Sequence, residues 1–191
     1  ERVAGYLSDV VDIVPRDASR FGYRIWSERD SGLVVKLQTT DTTGNVLEQL
    51  AFSDLKLDAP VRMELLRKQM NNTQGYEVFH PALLKTSAQS EGWTLKMPVA
   101  GFQPMSCHTR ERPEASPNQV SAMQCVFSDG LASVSLFIEP LGTDQGLAEG
   151  RSVMGATHLL RRRMATHWIT AMGEVPMATL VQMSDALERS R

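Results

Sequence analysis

Apolar and polar residues alternate on both sides of Asp129-Gly130: Met123, Cys125 and Phe127 precede the pair, and Ala132, Val134 and Leu136 follow it. Two such runs around Asp-Gly predict a β-hairpin, because both turn positions tolerate φ > 0. A two-residue loop would set Cys125 opposite Val134, Phe127 opposite Ala132 and Met123 opposite Leu136. A slip by one residue would turn Gln124, Val126 and Ser128 to the apolar face instead, so the register is well specified. Similar alternation predicts strands from Trp93 through Leu95 to Met97, and from Phe102 to Arg110 with Met105, Cys107 and Thr109 on one side. The same signal predicts a further hairpin, Thr157 to Arg161 and Thr166 to Met172, turning at Arg162-Arg163. Arg112 to Asn118 and Pro140 to Gly150 read as loops. After Gly173-Glu174-Val175-Pro176, apolar Leu180, Met183 and Leu187 recur at helical spacing, with Pro176 suited to the first helical position. This terminal helix is expected to cross one face of the sheet.

The first 58 residues read as four strands in a meander. Leu7, Val11 and Ile13 share one face, as do Tyr23 and Ile25, with Trp26 on the other side. Leu33, Val35 and Leu37 oppose Lys36 and Gln38, and Val46, Leu50 and Phe52 follow Thr42-Thr43-Gly44-Asn45. Such a sheet has one apolar face and needs a second layer, yet nothing within residues 1–58 supplies it. Pro60 precedes a short helix from Val61 to Met70. Residues 71–91 are polar and read as a linker with a short element near Pro81 to Lys85. The pattern therefore predicts an α+β, mostly antiparallel β protein: a meander unit over 1–70, a linker over 71–91, and a small antiparallel sheet domain with a C-terminal helix over 92–191.

Composition narrows the function more than the fold. A net charge of −2 over 191 residues gives no general pull toward nucleic acid or an anionic membrane. No apolar run approaches the roughly 20 residues of a membrane helix. The chain opens Glu1-Arg2-Val3, without an initiator Met or an apolar leader, as a processed or truncated chain would.

Among chemical candidates, Cys107 and Cys125 lie symmetrically about Ser116, so a hairpin with its loop at 112–118 brings them face to face. Both occupy apolar faces, which favours structural sulfurs over a reactive thiol. A disulfide is the favoured form over two buried thiols. The Asp129-Gly130 register, however, places Cys125 at a wide, hydrogen-bonded position toward Cys107, where a bridge is strained unless a bulge near Pro104 or Pro113 relieves it. His158 and His167 would face each other across the third hairpin, but zinc needs three or four ligands and no spacing recruits His80 or His108, so no metal is expected. Arg161-Arg162-Arg163 is the only dense basic run; at a hairpin tip it would meet an acidic partner segment or a lipid phosphate. GxSxG, P-loop and GxGxxG signatures do not occur, so no cofactor is expected and binding is favoured over catalysis.

Several motifs, taken in order, carry a resemblance. They are Pro15-Arg16-Asp17…Arg20-Phe21-Gly22-Tyr23-Arg24-Ile25-Trp26, Gly44-Asn45-Val46-Leu47-Glu48-Gln49, Gly92-Trp93, Gly101-Phe102, Phe127 to Glu139, Gly155-Ala156-Thr157, and Gly173-Glu174-Val175-Pro176…Thr179. The chain resembles the RseB/MucB family, periplasmic regulators of the envelope-stress sigma factor in Gram-negative bacteria. The resemblance implies that residues 1–70 are the end of the family's lipoprotein-carrier-like N-terminal domain, and the uncovered meander is what such a cut would leave. That face is expected to pair with another copy or another chain. The resemblance implies a protein located in the periplasm that binds the periplasmic part of a membrane anti-sigma factor and shields it from site-1 proteolysis. It also implies release by a lipid or lipopolysaccharide signal; a lipid or lipoprotein carrier of the envelope is the alternative. Neither cysteine belongs to a motif of the resemblance, and Arg161, Arg162 and Arg163 are partner-binding candidates on charge alone.

Overall fold

The computed structural model describes residues 1–78, 83–96, 99–110, 122–142 and 148–190. The first sheet runs in chain order: β1 (Arg2–Val3), β2 (Tyr6–Ile13), β3 (Gly22–Glu28), β4 (Val34–Thr40) and β5 (Val46–Ala51), each antiparallel to the next. Val11, Ile25, Leu37 and Leu50 are successive cross-strand partners and form one apolar row. Val11 is 54 % and Leu50 61 % exposed, while Ile25 and Leu37 between them are half-buried and Val35, on the same face as Leu37, is buried, so the row is open on its outer strands and covered in part at its centre. The opposite face is closed by its own side chains. Trp26 is buried there beneath Lys36, whose ammonium lies 4.1 Å from the ring, and Arg24 at 5.4 Å, while its indole N–H donates to Glu1 at 2.6 Å. Long cationic stems cover an aromatic ring well while their heads stay wet. Helix α1 (Met63–Met70) begins two residues later than the pattern suggests and buries none of its residues.

Next come β6 (Leu83–Thr86), β7 (Trp93–Leu95), β8 (Gln103–Arg110), β9 (Ala122–Ser128), β10 (Ser133–Pro140), β11 (Gly150–Met154), β12 (Thr157–Met164), β13 (His167–Gly173), α2 (Met177–Asp185) and β14 (Leu187–Arg189). Seven of these strands form one antiparallel sheet in the order β11-β12-β13-β10-β9-β8-β6. β6 overlaps the short element expected within the linker and forms one edge. β7 pairs with β14 instead of joining the large sheet. Met97, His80, the 112–118 loop and residues 143–147 of the 140–150 loop lie outside the described residues.

One face of the sheet carries Met123, Cys125, Phe127, Val134, Leu136, Ile138, Leu160, Ile169 and Ala171, and α2 seats Leu180 and Met183 on it. Pro176 is the N-cap of α2 (φ −53°, ψ 144°) rather than its first helical residue, and the helix stops at Asp185. Leu187 still reaches the core, but from β14, where it faces Leu95.

The central hairpin keeps its predicted face and shifts its partners. Phe127 faces Val134, Cys125 faces Leu136 and Met123 faces Ile138, so residues 129–132 form a four-residue loop. The Asp129 side chain accepts the amides of Leu131 (3.0 Å) and Ala132 (2.8 Å), and the Ser128 hydroxyl donates to Ala132 O at 2.8 Å. These bonds hold the wider loop against a two-residue turn. Moving the register by two residues leaves the apolar face unchanged because side chains alternate with period two.

Candidate partner-binding site

Arg161, Arg162 and Arg163 do not form a hairpin tip. They lie within β12, and the turn falls three residues later, at Ala165-Thr166, with Met164 opposite His167. That register sets Leu160 against Ala171 and Arg162 against Ile169. The period of two then splits the basic run. Arg162 points to the helix face, where one terminal nitrogen donates to the Asp185 carboxylate and the other to Ser184 O at 2.6 Å. It thereby satisfies a carbonyl at the end of α2, and a cation there is favoured by the helix dipole. Arg161 and Arg163 point to the opposite face. Arg161 Nε donates to Thr170 at 3.2 Å, and the Arg163 guanidinium lies 5.7 Å from the buried Trp168 ring.

That second face carries no helix among the described residues. Cross-strand pairing draws one row across it: Gly150, Arg161, Thr170, Phe137, Gln124, His108 and Lys85. The adjoining row brings Arg163, Trp168 and Glu139 together. Lys85, Arg161 and Arg163 make none of the ion pairs found among the described residues. The surface is therefore cationic with aromatic bodies beneath, an arrangement suited to carboxylates on an extended chain.

Cys107 and Cys125 lie directly opposite each other, with Cα atoms 4.1 Å apart and the sulfurs bonded. This is the close, non-hydrogen-bonded spacing rather than the wide one that a two-residue loop at Asp129-Gly130 implies. The longer hairpin loop accounts for the change. Asp129 N–H bonds Ala132 O, and counting alternately from that pair turns the Cys125 amide toward β10 and away from β8. A bulge does occur near Pro104. It leaves Met105 without a partner and 66 % exposed, off the face it was expected to share with Cys107.

The two histidines are separated. His158 is the cross-strand partner of Gly173, and His167 that of Met164. Nor is a group of potential metal ligands found among the described residues. His158 instead meets the edge of the Phe21 ring at 5.4 Å, across the joint between the two sheets. Burial pushes its pKa below the usual 6.5. The unfolded chain then accepts a proton that the folded chain resists, so stability is complete above about pH 6.5 and declines as pH falls toward the folded value. Thermal melts between about pH 7.5 and pH 5 should show that decline. His158→Gln should flatten part of it, the remainder belonging to His167, which burial and then Arg189 also lower. Superimposable profiles for variant and wild type would contradict this assignment.

The joint itself was not legible as a site. Arg20 donates to Asp17, to the Asp129 carboxylate and to Ala100 O, with its guanidinium 5.0 Å from the Phe102 ring centre. Burial alone would raise Asp129, but the Leu131 amide, Arg20 and the Ala132 amide outweigh it and hold the carboxyl below its ordinary range. The Thr179 hydroxyl donates to Ser19 O at 2.8 Å, and the Ala156 amide donates to Glu48 at 3.2 Å. Two glycines permit this approach. Gly101 (φ +89°) lies where a Cβ would strike Arg20, and one at Gly155 (φ +59°) would sit 2.7 Å from the Glu48 carboxylate. All the motifs that carry the resemblance except Gly92-Trp93 thus contribute a residue to this joint.

The profile described as the MucB/RseB C-terminal domain matches residues 87–188, and the MucB/RseB N-terminal domain matches residues 1–70. The chain belongs to the MucB/RseB family. Its relatives include the sigma factor AlgU regulatory protein MucB of Pseudomonas aeruginosa, 30 % identical over 182 residues, covering 93 % of this chain and 55 % of the relative. The sigma-E factor regulatory protein RseB of Escherichia coli is 25 % identical, covering 98 % of this chain and 56 % of its own length. The chain thus spans about half the length of the MucB and RseB proteins it matches. Among solved structures, MucB in complex with MucA(peri) superposes at a TM-score of 0.74 and 26 % identity, covering 100 % of this chain and 65 % of that one. A MucA/MucB complex of Pseudomonas aeruginosa follows at 0.73 and 26 % identity, covering 100 % and 62 %.

Proposed function

We propose that this chain is a periplasmic regulatory protein that binds the periplasmic part of a membrane anti-sigma factor and shields it from site-1 proteolysis, and that envelope-stress lipid signals release it. The match over the whole chain to MucB bound to MucA(peri) carries this reading. The cationic face, which carries no helix among the described residues, supports it: Arg161 and Arg163 are the partner contacts, while Arg162 seats α2. The Cys107–Cys125 bridge is a structural brace. Function then rests on occlusion and on competition between ligands, without a chemical step.

The test is calorimetric titration of the chain with the periplasmic segment of its cognate anti-sigma factor, paired with site-1 protease digestion of that segment. Saturable binding and slowed cleavage are expected. No heat of binding together with unchanged cleavage would sink the reading. The apolar row Val11, Ile25, Leu37 and Leu50, exposed at Val11 and Leu50, favours a second reading, capture of lipid or pairing with another copy. Lipid extracted with the purified chain, without affinity for the segment, would favour a carrier.

A further inference from the structure

We infer that β11 is the rail on which the partner docks, an extended acidic segment adding there as an eighth strand of the sheet. This deepens the reading above and rests on it. β11 stands at the sheet edge, all five of its residues are exposed, and among the described residues it pairs only with β12. The flanks of the two-residue turn Gly155-Ala156, Met154 and Thr157, face each other as a bonded pair. Counting back, Ser152 and Gly150 also bond β12, so Arg151 and Val153 direct their N–H and C=O groups outward. Those outward groups are what strand addition uses.

The ground on either side of the edge fits one class of occupant. An added strand alternates its side chains between the two faces. On the helix face they meet a groove of about 280 Å³ lined by Glu149, Arg151, Leu160, Arg162 and Val181. Leu160 and Val181 give it an apolar floor, and Arg151 stands at its edge without an ion pair among the described residues. On the other face the first neighbours are Gly150, Ser152 and Met154. Gly150 has no side chain and open space around it, which leaves Arg161 reachable from the edge across it. Glu149 is the one carboxylate lining the groove, and its oxygen accepts the Arg163 amide at 2.6 Å. Carboxylates on the incoming strand would therefore find Arg151 on one face and Arg161 on the other, with an apolar side chain between Leu160 and Val181. A neutral or basic strand would gain the backbone bonds and the apolar contact but neither ion pair.

The experiment measures fluorescence anisotropy of the labelled periplasmic segment of the cognate anti-sigma factor against wild type, Val153→Pro, Val153→Ala and Arg151→Glu/Arg161→Glu. Proline at 153 removes an outward N–H and no bond to β12, so a melting curve near wild type is expected. Val153→Pro and the charge-reversed variant should each weaken binding by about tenfold or more. Val153→Ala should stay within about twofold. In the wild-type complex, hydrogen exchange should slow at the Arg151 and Val153 amides, a readout that stands even if the proline variant does not fold. Wild-type binding that Val153→Pro leaves unchanged, or unaltered exchange at both amides, overturns the proposal. So does a wild-type dimer that Val153→Pro dissociates without altering segment affinity, since the edge then serves a second copy. A wild type that does not bind the segment refutes the function proposed above instead, and the rail falls with it.

Discussion

Replacing Arg20 with alanine is expected to release the two sheets from each other while each keeps its own strand pairing. The Arg20 side chain is 19 % exposed and its partner Asp129 is 10 % exposed. Removing one member of so enclosed a pair leaves the other charge uncompensated and also frees Ala100 O. Breaking a fully buried pair costs about 3–5 kcal/mol, and the residual solvent here lowers the expectation to about 2–3 kcal/mol. Arg20→Lys should recover less than half of that, because an ammonium cannot span three acceptors in the guanidinium's fixed fork. Denaturant unfolding followed by separate probes, the Trp26 environment for the first sheet and that of Trp168 for the second, should change from one transition to two. Coincident transitions at the wild-type midpoint would show that the joint is held by something else. Acid should act in the same direction. Asp129 is depressed in the folded state, so its stabilisation is present above about pH 4 and is lost as pH falls through the folded value.

Reducing the Cys107–Cys125 bridge should produce the second large effect. The cysteines are 18 residues apart in sequence, and closing a loop of that length in the unfolded chain is worth about 3 kcal/mol in the chain-entropy account. The large sheet should unfold at a clearly lower urea concentration in reductant, with Cys107→Ser/Cys125→Ser matching the reduced protein. Equal midpoints for oxidised and reduced chains would mean that the β8–β9 pairing needs no brace. The first sheet should respond only as far as the Arg20 joint couples the two.

The parts of this protein legible in its sequence are those in which one face of an element is greasy and the other wet. The 122–140 hairpin is legible because Met123, Cys125 and Phe127 must face the same way as Val134, Leu136 and Ile138. Its loop length is not, because the competition between a two-residue and a four-residue turn is settled by bonds from Ser128 and Asp129 and by an arginine 109 residues away. The Arg161 to Arg163 run shows the same division. Its charge is plain, but its register is set by Leu160 and Arg162 against β13, so it lies along a strand rather than at a bend. Met105 reads as part of an alternating run until the bulge displaces it. β11 gives no signal, since Gly150-Arg151-Ser152-Val153-Met154 is wet on both faces and leaves no period of two. The Arg20 joint is invisible to pattern for a different reason. Each contributor is an ordinary turn or cap residue locally, and only the tertiary approach assembles them.

The inward turn of the middle arginine bears on how the basic run should be dissected. Neutralising all three guanidiniums together would cut the tether beneath the end of α2 and loosen the seat of Leu180 and Met183 before any docking event could be observed. Only the flanking pair, changed while position 162 is left intact, separates recognition from the integrity of the scaffold.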